Sequence, residues 1–269
     1  MPMKSWVRRT ARNFGYEIRK APFPHFNPVS VFDLAVNYMI ATRGDKLTFI
    51  EVGANDGIAG DPLREFILKY HWKGVLIEPQ PAVFERLKAN YAGLDEGISF
   101  ENVAISSNPA PLHLYRLSST SPSTVASANP KIAARQLNAK SHELEKITVP
   151  TARLDDIVEK YKLTSLDVLQ LDTEGCEWDI LQTLDLTKTR PWLIHFEHGH
   201  LTPQTIGRMT QHLNAHGYPV NFGGNQEDSL AIRNDFIDIG DEGLQRKSMG
   251  PQYEGNRNQP KNEETYPKQ

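Results

Sequence analysis

Small and polar residues follow a largely apolar run in the first third of the chain. The run at 49–52 leads directly into Gly53, Ala54, Asn55, Asp56 and Gly57. Two glycines four positions apart allow the backbone to turn sharply and to approach a ligand where a Cβ atom would collide. About twenty residues later a second apolar run ends in Glu78, whose carboxylate is suited to accept hydrogen bonds from both hydroxyls of a ribose. This spacing predicts a nucleotide-like ligand.

Further polar groups follow other apolar runs. Residues 172–174 come directly after the run at 166–171, and residues 102–104 close another apolar stretch. The run at 192–197 contains His195 and Glu197, and it is followed by His198 and His200. Because ligands of open α/β sheets bind beyond the carboxyl ends of the strands, we expect these groups to converge on one site.

The order of the predicted elements determines how these groups meet. Predicted strands alternate with predicted helices, and they cover 49–52, 74–78, 98–105, 166–171 and 192–197. This pattern implies a mostly parallel sheet with right-handed crossovers and helices on both faces. Asp61 and Pro62 are predicted as the N-cap and first residue of the helix after the glycine loop. Runs at 218–222 and 229–233, joined by a turn at 223–225, predict a C-terminal antiparallel hairpin that seals one sheet edge.

Other segments lie outside this pattern. Residues 106–150 interrupt it with an extra alternating strand and a Ser-, Thr-, Ala- and Pro-rich stretch, so we expect an insertion that either covers the substrate or has no role. Residues 1–44 are expected to form a helical arm, and residues 241–269 a disordered tail. The basic residues within 1–20 fit a helix packed on the domain, which we favour, or peripheral contact with an anionic membrane surface.

Composition limits the classes of function. The chain has 269 residues and a net charge of −3, which does not favour nucleic acid as a partner. A single cysteine, Cys176, allows no internal disulfide and favours a reducing compartment. No apolar run is long enough for a transmembrane segment. We therefore expect a cytoplasmic protein.

The glycine loop also discriminates between cofactors. It is not the G-x-G-x-x-G fingerprint of nicotinamide enzymes. A short-chain dehydrogenase would carry a Tyr-x-x-x-Lys pair well after this loop, but the only such pair here, Tyr16 and Lys20, precedes it. A loop that holds a ligand with a carboxylate and a nucleoside, and no pyrophosphate, is better suited to S-adenosylmethionine.

Several motifs, taken in order, resemble those of the FkbM family of S-adenosylmethionine-dependent methyltransferases. They are VGANDG at 52–57, IEP at 77–79, the 102–104 element, Leu154-Asp155 and DVLQLDTEGCE at 167–177. The resemblance covers roughly 47–235 and implies a class I methyltransferase, Rossmann-like fold for a domain at 45–240. For many relatives it implies methylation of a hydroxyl on a sugar, glycan or other small natural product. The 57–62 connection and the 106–150 insertion are longer than the family pattern.

The resemblance also implies which residues bind the donor. They are Glu51, Gly53, Ala54, Asn55, Gly57, Glu78, Pro79, Asn102, Ala104 and Asp172. A hydroxyl acceptor must in addition lose its proton to a base, or to solvent after a metal has acidified it. The candidate catalytic residues are Asp172, His195, Glu197 and His198. Asp172 has two candidate roles, because it could instead hold the amino group of the methionine moiety.

Alternatives stay open at this point. Glu174 is a candidate cap for the helix that follows it, and Cys176, one turn into that helix, is interpreted as a small buried residue. A divalent metal held by Asp172, Glu197 and a histidine is not favoured, since no fixed ligand spacing is visible. The alternative to an enzyme is a noncatalytic nucleotide-binding or partner module that retains the methyltransferase fold.

Overall fold

The computed structural model describes residues 30–58, 60–93, 97–117, 125–222 and 228–236. Residues through Asn234 belong to one compact unit, and of a second unit, 235–269, only Asp235 and Phe236 are described. The predicted basic segment at 1–20, the tail at 241–269 and the turn at 223–225 lie outside the described residues. None of the helices described is long and apolar enough to cross a membrane.

The described part of the chain alternates strands and helices. The strands are β1 (Thr48–Val52), β2 (Lys73–Ile77), β3 (Ile98–Glu101), β4 (Ala104–Ile105), β5 (Leu112–Arg116), β6 (Ala126–Ser127), β7 (Glu145–Val149), β8 (Thr151–Ala152), β9 (Val168–Leu171), β10 (Leu193–Glu197), β11 (Val220–Phe222) and β12 (Asp228–Ile232). The α-helices are α1 (Val31–Arg43), α2 (Arg64–Tyr70), α3 (Pro81–Asn90), α4 (Pro130–Gln136), α5 (Leu154–Lys160), α6 (Glu177–Leu181) and α7 (Pro203–Ala215).

The central sheet has seven strands in the order β11-β12-β10-β9-β1-β2-β3. The pairs from β10 to β3 are parallel, whereas β12 is antiparallel to both of its neighbours. This confirms the predicted mostly parallel sheet with a C-terminal antiparallel hairpin. The strand order reverses between β1 and β9, which is the position where open α/β sheets bind their ligands.

Strand β1 is buried on both faces, which accounts for its central place. Ile50 and Val52 belong to a core cluster on one face that also contains Leu169 and Leu171 of β9. Phe49 has no exposed surface, and its ring lies 6.4 Å from that of Trp72. Each fully buried side chain of this size stabilises the fold by about 1.5–3 kcal/mol.

Helix α1 packs on the sheet through an aromatic contact. It begins with a capping box in which Ser30 and Asp33 accept each other's backbone N–H groups. Phe32, in its first turn, is buried and stacks on the ring of His195 in β10 at a centroid distance of 4.5 Å. A histidine predicted to be catalytic is therefore a packing partner of the first described helix.

Two local predictions are corrected by the structure. The single strand predicted at 98–105 is divided after Glu101, because the Asn102 amide donates to the carbonyl oxygens of Glu78 and Pro79 and turns the chain there. The helix predicted to start at Pro62 begins at Arg64. The Asp61 carboxylate still accepts the backbone N–H groups of Leu63 and Arg64, so it closes a turn ahead of the helix.

The insertion at 106–150 contains regular structure. Strands β5, β6 and β7 form an antiparallel sheet in the order β6-β5-β7, and α4 follows β6. Leu114 and Val149 are buried with Ala104 in a small core of their own. Residues 118–124, within the predicted Ser- and Thr-rich stretch, lie outside the described residues.

Candidate functional site

An open cavity of about 880 Å³, which includes space open to solvent, lies at the carboxyl ends of β1, β2 and β9. Part of its wall comes from the insertion, through Leu112 and Leu114 of β5 and through Val125 and Ala126. Most of the residues predicted to bind the donor line it: Glu51, Gly53, Ala54, Asn55, Glu78, Pro79, Ala104 and Asp172. Gly57 and Asn102 do not line the cavity.

The backbone at Gly53 passes too close to β9 for any side chain. Its φ is +85°, and a Cβ atom there would lie 1.8 Å from the Asp172 carbonyl oxygen. The backbone N–H groups of Gly53 and Ala54 both donate to the Ile77 carbonyl at the end of β2. The loop therefore crosses between the two neighbouring strands, and only glycine fits at this position.

Gly57 and Asn102 contact residues of the cavity wall or of its supporting helix but do not line the cavity. Gly57 has a φ of +70°, and a Cβ atom on it would lie 2.5 Å from the Tyr91 ring and 2.6 Å from Leu87. Asn102 holds the carbonyl groups of Glu78 and Pro79 at 2.8 and 3.1 Å. The structure thus brings both residues next to the predicted donor site without exposing them to the cavity.

The Glu78 carboxylate is held in place by backbone donors. Its oxygens accept the N–H of Gln80 at 2.8 Å and the N–H of Asn55, in the glycine loop, at 3.2 Å. Burial raises the pKa of Glu78 to about 7, although these two backbone donors lower it. The side chain is only 4% exposed, so its position is well defined before any ligand arrives.

Two further carboxyl groups, the buried Glu51 and the partly buried Asp61, line the cavity. Burial, followed by repulsion from Asp61 and Asp172, raises the pKa of Glu51 well above its ordinary value. Asp61 accepts a hydrogen bond from the Tyr91 hydroxyl at 3.2 Å. Asp61 also lines the cavity, although the sequence predicted it only as a helix cap. Its contact with Glu51 joins residues of different segments, and no local sequence pattern indicates it.

The turn after β9 carries Asp172 and Glu174 into the cavity. Asp172 has exposed surface toward the cavity, where protein surrounds it. The resulting desolvation of its carboxylate, followed by repulsion from Glu174 and Glu177, raises the pKa of Asp172 to about 7. Glu174 has a left-handed backbone conformation with a φ of +59°, and its carboxylate contacts Gln136 and His200. The buried Glu177 carboxylate accepts from the N–H groups of Thr173 and Gly175.

Cys176 is placed differently from the prediction. It is the N-cap residue of α6, not a residue one turn inside it, and it lines the cavity. Burial raises the pKa of the Cys176 thiol to about 12. A thiol with such a pKa stays protonated at neutral pH.

The histidines after β10 have separate surroundings. His195 Nδ1 donates to the Gln170 amide oxygen at 2.6 Å, and the ring packs on Phe32, away from the cavity lining. His198 is 2.9 Å from the Ser229 hydroxyl, and its ring packs edge-on against Phe222. Neither side chain reaches the cavity, so the structure does not bring these two predicted bases to the donor site.

Glu197 lies instead in a cluster at the border of the cavity. The Nε2 atom of His200 is 3.1 Å from a Glu174 oxygen and 3.2 Å from a Glu197 oxygen. Gln136, from helix α4 of the insertion, contacts both Glu174 and His200. Burial, followed by repulsion from Asp172 and Glu174, raises the pKa of Glu197 to about 9.

The sheet order, the glycine loop and the carboxylates at the strand ends agree with one family of enzymes. The Methyltransferase FkbM domain profile matches residues 51–220, well over half of the chain. The chain belongs to the FkbM methyltransferase family.

In this member of the FkbM family the matched region extends from the last residues of β1 to the start of β11. It includes the whole 106–150 insertion, so the segment that interrupts the βα rhythm lies inside the family domain. A search of curated proteins gives no match.

Solved methyltransferase structures show limited similarity. An FkbM methyltransferase from Methylobacillus flagellatus KT is 14% identical, with 70% of this chain and 44% of that chain covered and a TM-score of 0.47. The METTL16 methyltransferase domain is 13% identical, with 83% and 75% covered and a TM-score of 0.45. A ribosomal protein L11 methylase from Lactobacillus delbrueckii subsp. bulgaricus is 12% identical, with 75% and 77% covered and a TM-score of 0.38. This chain spans less than half the length of the first of these structures.

Proposed function

We propose that the protein is an S-adenosylmethionine-dependent O-methyltransferase acting on a hydroxyl of a sugar, glycan or other small natural product. The observation that carries this proposal is the cavity at the strand-order reversal. It joins the Gly53 loop and the buried Glu78 on one side to Asp172 and Glu174 on the other. Family membership supports methyl transfer as the reaction. The cavity has room on one side for the methyl donor and on the other for the acceptor.

In this proposal the donor lies along the β1 and β2 side of the cavity. Glu78 accepts hydrogen bonds from the ribose hydroxyls, because its carboxylate lines the cavity at the end of the strand after the glycine loop. The backbone of Gly53 and Ala54 packs against the methionine end of the donor. Asn102 is a positioning residue, since it holds the backbone of Glu78 and Pro79.

The transfer itself is a displacement at carbon. An acceptor oxygen attacks the methyl carbon, the carbon–sulfur bond breaks, and S-adenosylhomocysteine leaves as the neutral thioether. The hydroxyl proton passes to Asp172, the proposed general base, whose pKa of about 7 suits proton transfer near neutral pH. The protein otherwise contributes by holding the two reactants in line and excluding water.

The wall formed by the insertion suits a small acceptor. Leu112, Leu114, Val125 and Ala126 supply an apolar surface opposite the carboxylates of Asp172 and Glu174. A hydroxylated molecule with an apolar face matches this combination. Carboxylates at the acceptor end would repel a phosphate backbone, which argues against nucleic acid.

The donor half of the proposal is tested by ligand-induced stabilisation. We expect S-adenosylhomocysteine to raise the melting temperature of the full chain, and Glu78→Gln to weaken its binding by about tenfold or more, as for a lost hydrogen bond to a charged group. Glu145→Gln, a carboxylate of the insertion strand β7 whose side chain is 43% exposed, is the matched control and should bind normally. No stabilisation at millimolar ligand would refute the proposal.

The acceptor half is tested with a radioactive methyl donor. Purified protein and labelled S-adenosylmethionine are incubated with glycan fractions and with extracted small metabolites. We expect label in one of these fractions, and label confined to protein or nucleic acid would refute the proposed substrate class. Donor binding without transfer to any fraction would support the noncatalytic module instead.

A further inference from the structure

Four polar side chains converge where the insertion meets the ends of β9 and β10. Glu174, Glu197 and His200 each present a ligand atom, and these atoms lie within 4.8 Å of one another. The Gln136 amide reaches the same place from helix α4, 2.9 Å from His200 Nε2 and in contact with the Glu174 carboxylate. The four residues, called here the Glu-His cluster, are all at least partly buried.

Two oxygens of the Glu-His cluster lack hydrogen-bond partners. Among the described residues, Glu197 Oε2 and Gln136 Oε1 are buried atoms without a donor. A buried polar atom left without a partner destabilises the fold, and more so when it is charged. The nearby carboxylates of Asp172, Glu177 and Asp228 add negative charge around Glu197. The cluster therefore contains buried acceptor oxygens for which the described residues supply no donor.

When both carboxyl groups of the Glu-His cluster are ionised, its His200 and Gln136 donors face one another. Arg135 approaches His200 Nδ1 at 2.7 Å, and a guanidinium can only donate, so the proton of a neutral ring lies on Nε2. The Gln136 amide nitrogen, also a donor, then faces that N–H group. Turning the amide over would instead place its oxygen against the Glu174 carboxylate.

We propose that Glu174, Glu197, His200 and Gln136 bind a divalent cation of the Mn²⁺ type. Two carboxylates, an imidazole and an amide oxygen are ligands for such ions, and no thiolate in the cluster favours a softer metal. A cation among them supplies the missing partner for the buried oxygens and accepts the Nε2 lone pair. The His200 proton then lies on Nδ1, and Arg135, which is exposed, turns away into solvent.

The position of the ion gives it a role, which rests on the proposed function. Glu174 belongs both to the Glu-His cluster and to the cavity wall. An ion held by Glu174 is therefore next to the acceptor end of the cavity, where it would lower the pKa of a coordinated hydroxyl. The insertion contributes Gln136, so the same segment would shape the acceptor pocket and complete the metal site.

The proposal is tested with Mn²⁺ and the full chain after chelator treatment and desalting. Free Mn²⁺ is followed by electron paramagnetic resonance during a titration, which requires no donor and no acceptor. We expect one Mn²⁺ per chain, displaced by excess Mg²⁺ or by EDTA. His200→Asn and Glu197→Gln should each weaken binding by about tenfold or more, and Gln136→Ala provides a milder change in the same direction.

Two further variants distinguish a metal site from a network of ion pairs. Arg135→Ala should bind Mn²⁺ as well as the wild type or more tightly, because it removes a positive charge and frees His200 Nδ1. Glu145→Gln, in the same insertion, should bind normally. A cooperative melting transition near that of the wild type, measured without ligand, reports that each variant is folded.

Three results would overturn the metal site. They are no Mn²⁺ binding by the wild type at millimolar concentration, unchanged binding in both His200→Asn and Glu197→Gln, or loss of binding in Arg135→Ala. Failure of the proposed function looks different, because S-adenosylhomocysteine would then give no stabilisation while the Mn²⁺ titration still shows a site.

Discussion

Two carboxyl groups at the cavity have the same raised pKa, about 7, for different reasons. Glu78 is buried and fixed by two backbone N–H donors, so burial outweighs the hydrogen bonds. Asp172 is open to the cavity, and repulsion from neighbouring carboxylates adds to its desolvation. The first environment favours a fixed acceptor for ligand hydroxyls. The second favours a group that exchanges a proton.

We expect Asp172→Asn to separate these roles. The variant should bind S-adenosylhomocysteine with an affinity close to that of the wild type, while the rate of methyl transfer falls by about 10²–10⁴, as for loss of a general base. In the wild type the ionised carboxylate is the active form. The rate should therefore rise with pH through about 7 and then level off, as a pH profile of kcat/KM would show.

The control for this variant is Asp185→Asn, which removes a carboxylate from the exposed turn before β10 and should leave the pH profile unchanged. If Asp172→Asn instead abolishes donor binding, Asp172 holds the amino group of the methionine moiety and the base lies elsewhere.

At the scale of the elements, the loop after β1 depends on close contact with the turn after β9. Gly53→Ala should destabilise the protein by about 3 kcal/mol, from the left-handed conformation of Gly53 and from the Cβ overlap with the Asp172 carbonyl. This corresponds to a fall of roughly 10 °C in melting temperature for a domain of this size. Calorimetry of the purified variant measures it.

Gly93→Ala is the matched control. Gly93 has a φ of +76°, but apart from its chain neighbours no atom of the described residues would lie within 4 Å of a Cβ atom on it, so we expect only the conformational cost of about 1–2 kcal/mol. Equal destabilisation in both variants would show that the contact with β9 is unimportant.

Much of the sheet could be predicted because its strands have simple patterns. The apolar runs ending in Gly53, Glu78 and Asp172 each correspond to a strand, and the polar groups after them meet at one edge as parallel topology requires. The division of the strand at 98–105 could not be predicted, since it depends on Asn102 binding carbonyl groups of a different loop.

The remaining site residues depend on contacts between distant segments. Gln136 meets Glu174 and His200 across 38 and 64 residues, and only the folded insertion brings them together. His195 was predicted to face the site because it lies near the end of a strand. It packs on Phe32 instead, because α1 covers β10 at that position, and no local pattern reveals which helix covers which strand.

Considered as a whole, the molecule encloses several carboxyl groups that prefer to be protonated. Glu78 and Asp172, with pKa values of about 7, and Glu197, with about 9, bind protons more tightly in the folded state than in the unfolded chain. Buried His195 has the opposite effect, because burial lowers the pKa of its imidazole. At a pH below the ordinary histidine pKa of 6.5, the unfolded chain binds this proton more readily, so His195 destabilises the fold there.

These shifts predict a direction for stability against pH. Between about pH 6.5 and 9 the loss of stability comes mainly from Glu197, which stays protonated in the folded protein while it is ionised in the unfolded chain. Glu78 and Asp172 lose most of their contribution below pH 7, and the Cys176 thiol adds to the loss as the pH approaches 9. The melting temperature of the ligand-free, metal-free protein should therefore fall by roughly 5 °C or more over this interval. Differential scanning calorimetry in buffers of constant ionic strength measures it.

Glu197→Gln should flatten this dependence, because it removes the carboxyl group with the highest pKa of the three. A melting temperature that rises between pH 6.5 and 9 would contradict the argument.

The central position of β1 also has a consequence for synthesis of the chain. β1 pairs with β2 soon after it is made, but its other edge waits for β9, and the contact from Thr48 to Asp167 spans 119 residues. At ribosomal speeds of about 5–20 residues per second, that edge stays open for roughly 6–24 s. During this time three parallel strands present an apolar, unpaired edge, from which misassociation of nascent chains can begin.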